Sequence, residues 1–224
     1  MDIQQPVYAI VPSQGPSIES DRLLLRPVGD SDAAALFAIR SRPEVTEMKS
    51  VNESCFNAVW HTMERSHNAN CTSHPKEPFK SIGETREWMS TKVFSAGPSD
   101  VIGRSFNYAI VDKSIPGTQQ RVIGSLSINQ VDPYPEIGYA VHPDAWGKGV
   151  ATEALQLLLK MWWELPRRTV EGDSARPAEV EKAFALCEKR NGGSCRVLEK
   201  CGFKVVGDYR HEQDDLFIFA LERP

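Results

Sequence analysis

The chain has 224 residues, of which 41% are hydrophobic, so it is long enough to bury the core of one mixed α/β domain. Its formal net charge is −4 and it has no run rich in Lys or Arg, which argues against non-specific nucleic-acid binding. The N-terminus lacks the features of a signal peptide, no apolar run is long enough to span a bilayer, and the cysteines number five, so we expect a cytoplasmic protein with reduced thiols and no membrane contact.

The chain is predicted to form a single domain that follows a short tail. Residues 1–17 are polar and contain proline, which is typical of a flexible tail, and residues 18–224 are the predicted domain. Within it, residues 47–80 are rich in Asn, Ser, His and Pro and are interpreted as an insertion or lid. Side chains of zinc-binding type occur in this insertion, but their spacing fits no compact finger, so we predict no metal site. They are Cys55, His61, His67, Cys71 and His74.

Hydrophobic periodicity along the domain alternates between that of strands and that of helices. An opening strand ends at Pro27 and is followed by a helix that Asp30 or Ser31 caps and that Pro43 ends. The next helix precedes three alternating segments, the first two of which we expect to pair as an antiparallel hairpin. The remaining predicted elements are the strand at 18–28, a helix at 81–94, strands at 106–112, 121–130 and 136–141, a helix ending near 165, a polar loop at 166–179, a strand at 180–189, a helix starting at 194, and strands at 203–209 and 215–222.

Small residues mark the junction between the strand at 136–141 and the helix after it, in the stretch HPDAWGKGVATEAL. The first N–H groups of a helix lack intrahelical partners, and the helix dipole favours negative charge there. With only hydrogen, hydrogen and methyl as side chains at positions 147, 149 and 151, a diphosphate could approach the backbone. The alternative is a tight turn with no ligand. The spacing matches neither a P-loop nor the dinucleotide GxGxxG, because no third glycine follows Gly147 and Gly149 at the required spacing.

Three stretches of the chain resemble the GNAT acetyltransferases. The sequence EIGYAVHPDAWGKGVATEAL is similar to their acetyl-CoA signature, with Trp146, Gly149 and Ala151 at its three defined positions. NGGSCRVLEKCGF and IESDRLLLRPVGDSDAAALF are similar to motifs of the ribosomal-protein N-acetyltransferase (RimJ/RimL-like) branch. The resemblance implies the α/β (α+β) class and a GNAT fold, in which about four helices flank a twisted, mixed and mostly antiparallel sheet of about six or seven strands.

The resemblance also implies an activity, the transfer of an acetyl group from acetyl-CoA to a primary amine. The amine of a protein N-terminus or of a small molecule would attack directly in a ternary complex, and neither a metal nor nucleic acid is implied. The strand edge would pair with the pantetheine amides, and the N–H near Val141 would polarise the thioester carbonyl. The residues implied to bind acetyl-CoA are Tyr139, Ala140, Val141, Trp146, Gly147, Lys148, Gly149, Val150, Ala151, Thr152, Asn191 and Ser194.

An amine must lose a proton before it attacks, so a proton acceptor is needed. Glu136 is the first candidate for this base, against the alternative of an exposed or ion-paired strand residue, and His142 is the second candidate. The tyrosine that serves as acid in many superfamily members is replaced by Leu198. Instead, the branch resemblance implies that the hydroxyl of Ser194 hydrogen-bonds the departing sulfur, and the same residue is expected to cap its helix.

Three other interpretations remain open at this level. Cys187 and Cys195 flank Asn191 and could form an acetyl-cysteine, but small core residues are the simpler interpretation. The domain could also be a non-catalytic module that binds or senses CoA. Finally, the same loop could bind a different phosphate ligand.

Overall fold

The computed structural model describes residues 7–46, 77–114, 121–132, 134–169, 180–211 and 214–224. Within these ranges there are ten strands, five α-helices and two short 3₁₀ turns. The strands are β1 (Val7–Ala9), β2 (Ile18–Glu19), β3 (Leu23–Pro27), β4 (Phe106–Asp112), β5 (Arg121–Gln130), β6 (Glu136–Val141), β7 (Arg167–Thr169), β8 (Lys182–Glu188), β9 (Lys204–His211) and β10 (Asp214–Glu222). The helices are α1 (Ala33–Arg40), α2 (Pro43–Thr46), α3 (Ile82–Ser90), α4 (Val150–Glu164) and α5 (Gly192–Lys200).

The predicted mixed, mostly antiparallel sheet is confirmed. Eight strands form it in the order β2-β3-β4-β5-β6-β8-β10-β9, and every neighbouring pair is antiparallel except β6 with β8. The hairpin predicted from the strands at 106–112 and 121–130 is β4 with β5. The helices lie on both faces of the sheet, so the residues of its central strands are buried on both sides.

The larger core layer lies between the sheet and the helices α4 and α5. In β4, Phe106, Tyr108 and Ile110 face this layer, as their alternation predicts, and β6 contributes Ile137 and Val141. Helix α4 packs against these strand residues with a wide apolar stripe, whose members recur at helical spacing. These residues are Val150, Ala154, Leu155, Leu158, Leu159, Met161 and Trp162.

The smaller core layer packs α1 and α3 on the opposite face of the sheet. Leu36 and Ile39 of α1 contact Ala109 and Val111 of β4 there, and Trp88 of α3 packs beside them. Helix α3 begins as predicted, because the hydroxyl of Ser81 accepts the N–H of Glu84 at 3.1 Å. This layer covers the face of β6 that carries Glu136, Gly138 and Ala140.

The structure differs from the sequence expectation in the predicted tail and in the predicted polar loop. Part of the predicted flexible tail forms β1, which pairs with β7 inside the predicted polar loop, with Val7 opposite Thr169. Tyr8 is buried in this pair, and its hydroxyl donates to Asp132 at 2.8 Å. Strands of three residues are too short to show a hydrophobic period, so the sequence pattern did not predict β1 or β7.

Two other expectations concern the predicted insertion with its candidate zinc ligands and the membrane. Residues 47–76 of the predicted insertion, which include all the candidate zinc ligands, lie outside the described residues. Among the residues that are described, no three His, Cys, Asp or Glu side chains are grouped as a metal site would require. Nor does any helix within those ranges have both the length and the apolar character needed to cross a membrane.

A buried carboxylate fixes the connection from β3 into α1. Asp32, with 3% of its surface exposed, accepts two hydrogen bonds from the guanidinium of Arg26, at 2.7 and 2.8 Å, and one from the N–H of Gly29 at 2.9 Å. Burial opposes the ionisation of Asp32, but these hydrogen bonds outweigh it and hold the pKa of the carboxyl below its usual value. The fork of Arg26 on β3 thereby positions the start of α1 over the sheet.

We expect Asp32→Asn to lower the free energy of unfolding by about 2 kcal/mol at pH 7, because the amide leaves the charge of Arg26 uncompensated. A lowered pKa stabilises the fold above the unfolded pKa, about 3.9, and that contribution is lost as pH falls through the lower folded value. The difference between the two proteins should therefore shrink below about pH 4 in urea unfolding series. Glu19→Gln, which breaks an exposed pair with Lys113, is the control and should change stability by less than about 0.5 kcal/mol. A difference that stays constant down to pH 2 would contradict the assignment.

Candidate active site

A cleft opens in the sheet where β6 and β8 diverge. The register between these two parallel strands consists of one pair, Glu136 with Phe184, next to a hydrogen bond of 2.8 Å from the N–H of Phe184 to the carbonyl of Pro135. Beyond that pair the strands separate and leave a solvent-open cleft between β6, β8 and the start of α5. Its lining includes Ile137, Gly138, Tyr139, Ala185, Leu186, Cys187, Glu188, Asn191, Ser194 and Leu198.

The strand register decides which backbone groups of β6 face this cleft. The N–H of His142 donates to the carbonyl of Ile123 on β5, so alternate residues of β6, including Ala140, direct their N–H and C=O groups toward β5. Tyr139 and Val141 stand at the non-hydrogen-bonded positions and direct theirs the other way. Of the three predicted edge residues, two therefore present backbone groups to the cleft, and Ala140 does not.

The carbonyl of Val141 is occupied by a tryptophan from the following loop. The indole Nε1 of Trp146 donates to it at 2.7 Å, while 46% of the surface of Trp146 stays exposed. This bond joins the glycine loop to the end of β6. The N–H of Val141 points away from β5, toward the side of β6 on which the cleft lies.

The start of α4 has the open backbone that the small residues predict. Gly147 and Gly149 have φ values of 72° and 76°, a region that side chains disfavour, and Gly149 is the N-cap of the helix. The first helical hydrogen bond runs from the N–H of Glu153 to the carbonyl of Gly149 at 3.1 Å. Within the described parts of the chain, no N–H from Gly147 to Thr152 donates to a protein acceptor. Six consecutive amides are thus gathered at the positive end of the α4 dipole.

A brace behind this loop was not predicted. Arg22, at the start of β3, donates to the carbonyl of Lys148 at 2.9 Å and forms an ion pair with Glu153, which also accepts the hydroxyl of Ser20. The brace fixes the carbonyl of Lys148 between the two glycines. It also neutralises Glu153, whose charge would otherwise compete with an anion at the helix start. No sequence spacing could connect residues that are about 130 positions apart.

Helix α5 is capped by Asn191, which corrects the prediction that Ser194 is its cap. The side-chain oxygen of Asn191 accepts the N–H of Ser194 at 3.0 Å, and Ser194 lies in the first turn. Both are capping residue types three positions apart, and the helix simply begins one turn earlier than predicted. The hydroxyl of Ser194 is therefore not used as a cap, and the residue lines the cleft.

Tyr139 crosses the cleft to the same turn of helix. Its hydroxyl donates to the backbone carbonyl of Ser194 at 3.3 Å, and burial raises the pKa of the phenol above its usual value. The sequence singled out Tyr139 for its backbone alone. The structure adds a neutral hydroxyl beside Ser194.

Cys187, which lines the cleft, and Cys195 are both core residues, as the simpler interpretation predicted. Cys187 and Cys195 are buried with their sulfur atoms 3.6 Å apart. Burial raises the pKa of the Cys187 thiol, which keeps it protonated at neutral pH and makes it a poor nucleophile.

The two candidate bases have different environments. Glu136 is fully buried, with 0% of its surface exposed, so it is not an exposed strand residue. His142 is also buried, but its Nδ1 accepts the N–H of Asp144 at 3.2 Å and caps the 3₁₀ turn at Pro143–Ala145. Burial lowers the pKa of His142, and its ring is committed to the turn.

Comparison with known proteins agrees with this geometry. The model of the family described as "Acetyltransferase (GNAT) domain" matches residues 22–204, which is more than half of the chain. "Uncharacterized N-acetyltransferase YoaA" of Bacillus subtilis (strain 168) is 26% identical over 216 residues, which cover 93% of this chain and 98% of that protein.

Solved structures of low identity share the fold. A GNAT-family acetyltransferase from Bacillus anthracis has a TM-score of 0.61 at 19% identity and covers 93% of this chain and 99% of its own. A structure described as RimL, a ribosomal L7/L12 alpha-N-protein acetyltransferase in complex with coenzyme A, has a TM-score of 0.59 at 17% identity, with coverages of 92% and 98%. The chain belongs to the acetyltransferase (GNAT) domain family and is an acyltransferase, as its three motifs predicted.

We expect Asn191→Ala to lower the free energy of unfolding by about 1 kcal/mol, because the cap of α5 is lost. Ser194→Ala, three residues away, is the matched control and should change stability by less than about 0.5 kcal/mol. Urea unfolding followed by circular dichroism measures both. The reverse order of the two effects would restore Ser194 as the cap.

Proposed function

We propose that this GNAT-family protein binds acetyl-CoA through the amides at the start of α4 and transfers the acetyl group to a primary amine by direct attack in a ternary complex. The observation that carries the proposal is the run of N–H groups from Gly147 to Thr152, which has no protein acceptor in the described residues and follows β6, one wall of the cleft. A diphosphate needs several convergent N–H donors and gains from the helix dipole. The CoA complex of the RimL structure is consistent with this use of the fold.

The cleft supplies the partners that a pantetheine arm requires. The backbone groups of Tyr139 and the N–H of Val141 would pair with its amides or its thioester as an added strand would. Asn191 lines the opposite wall, where it would hydrogen-bond the arm. These contacts would place the acetyl group near the pair of Glu136 and Phe184, at which β6 and β8 meet.

The chemistry then needs few groups. The amine nitrogen attacks the thioester carbonyl carbon, the N–H of Val141 stabilises the developing oxyanion, and the C–S bond breaks. Glu136 accepts the proton that the amine loses, directly or through water. The hydroxyl of Ser194 donates to the departing sulfur, and the hydroxyl of Tyr139 holds the carbonyl of Ser194, so that this turn of α5 stays in position.

The acceptor is the amine of a protein N-terminus or of a small molecule, and the sequence features favour action in the cytoplasm. The alternative of a non-catalytic CoA-binding module has one specific observation in its favour. Leu198, at the position of the usual acidic tyrosine, is a buried apolar residue in the cleft wall. Acetyl-CoA-dependent release of thiol with a panel of amines and N-terminal peptides separates the two, because a binding module would show tight CoA binding without release. If the loop binds a different phosphate ligand, that ligand should raise the melting temperature of the protein and CoA should not.

We expect Gly147→Ala to weaken CoA binding about tenfold, because a methyl group would stand where the diphosphate approaches. Gly103→Ala is the matched control, since both glycines have positive φ and open space around the missing Cβ. The backbone strain, about 1 kcal/mol, is then common to both variants and only the loop variant loses affinity. Calorimetric titration with CoA, and with pantetheine as the ligand without a diphosphate, measures the effect. Equal affinities in the two variants would remove the diphosphate from this loop.

We expect Glu136→Gln to lower kcat/KM by about a hundredfold or more, because the amide cannot accept the amine proton. The affinity for CoA should not change, and the acidic limb of the pH–rate profile should disappear. Glu164→Gln, at an exposed position at the end of α4, is the control. If Glu136→Gln retains full activity, the base lies elsewhere, while the family assignment is unaffected.

A further inference from the structure

The face of the sheet that carries Glu136 holds an unusual group of cationic and aromatic side chains. Arg40 ends α1, and its guanidinium carbon lies 3.6 Å from the ring centroid of Trp88 on α3 and 5.9 Å from that of Phe79. Lys92 follows α3, and its Nζ lies 5.4 Å from the centroid of Trp88. One indole ring therefore contacts two positive charges, both within cation–π distance of its centroid.

This group reaches β6 through a chain of direct contacts. The Nζ of Lys92 donates to the side-chain oxygen of Asn129 at 3.5 Å, and the hydroxyl of Ser127 donates to the same oxygen at 2.7 Å. Asn129 lies against Gly138, because a Cβ on that glycine would stand 2.6 Å from the Asn129 nitrogen. Gly138 and Glu136 lie on the same face of β6. The cations thus lie on the face of the sheet that also carries the proposed base, away from α4 and the glycine loop.

Arg40 has no carboxylate partner among the described residues, although nearby arginines do. Arg26 is bound by Asp32 and Arg22 by Glu153, whereas the contacts of the Arg40 side chain are with the two rings. Its Nε is buried and makes no hydrogen bond. Burial lowers the pKa of Arg40 to about 9, so the guanidinium remains charged at neutral pH without compensation. A half-buried cation without a carboxylate partner is stabilised by any anion that reaches it.

We propose that Arg40 and Lys92 bind a carboxylate of the acceptor, so that the preferred substrates are amines that carry an acidic group close to the reacting nitrogen. The proposal rests on the proposed function, since it names the acceptor class of that same site. Amino-terminal segments with an early Asp or Glu meet this requirement. Polyamines do not, because they bring further positive charge to two fixed cations. The cations would also oppose protonation of the bound amine, which favours its reactive neutral form.

The test uses pairs of acceptors with the same α-amine that differ by one charge: Ala-Asp-amide with Ala-Asn-amide, and Ala-Glu-amide with Ala-Gln-amide. Binding to the full chain saturated with CoA is measured by calorimetry, and kcat/KM with acetyl-CoA is measured separately. At least one acidic member should bind about tenfold more tightly than its amide partner, and the preference should fall as salt is raised. In Lys92→Met, and in Arg40→Gln where that variant folds, the preference should drop toward one. Lys160→Met, at an exposed position on α4, is the control and should keep it.

The two proposals fail in different ways. Turnover of both members of each pair at equal kcat/KM in the wild-type protein would overturn the acidic-acceptor proposal and leave the acetyltransferase proposal intact. Tighter binding of the acidic members without any thiol release would do the opposite. A preference that survives in Lys92→Met and Arg40→Gln alike would show that the carboxylate is bound by other residues.

Discussion

The arrangement of the site depends on the point at which two parallel strands stop pairing. Because β6 and β8 share a single register pair, the cleft edge of β6 beyond Glu136 is not covered by a neighbouring strand. Backbone groups on a strand edge seek partners, and here α5 shields the opening from above while leaving it accessible to an extended ligand. The uncovered edge and the buried Glu136 both belong to β6, and the glycine loop belongs to the segment that follows this strand.

The two ends of that strand have complementary electrostatics. At the loop end, the α4 amides and the brace of Arg22 with Glu153 provide a positive region without an uncompensated negative charge. At the other end, a buried carboxylate lies on a face that also holds Arg40 and Lys92. A thioester held between the two ends of the strand would have the diphosphate-binding amides of α4 on one side and the proton acceptor, Glu136, on the other. The rise of about 3.3 Å per residue along β6 therefore contributes to the distance between the diphosphate-binding amides and the proposed base.

Sequence patterns predicted the parts of this architecture that have local causes. The strands β4 to β6 and helix α4 have long, clear periods, and the small residues at 147, 149 and 151 have a direct steric meaning. Asn191 and Ser194 could not be told apart as caps, because both residue types suit that role and only the three-dimensional turn selects one. Contacts between distant segments were also out of reach. The brace from Arg22 and the stacking of Arg40 on Trp88 follow from how β3, α1 and α3 dock, and no single stretch encodes them.

The close approach of Asn129 to Gly138 also constrains how the protein can change over evolution. Because of the irregularity that places Asn129 there, a methyl group at position 138 of β6 would fit only if the Asn129 side chain moved aside. A gain of side chain at 138 would displace the amide and, through it, the lysine ammonium and the serine hydroxyl that meet on its oxygen. Substitutions in the helices and loops above the sheet do not disturb these contacts. Acceptor selectivity can therefore change there more readily than at position 138 of β6.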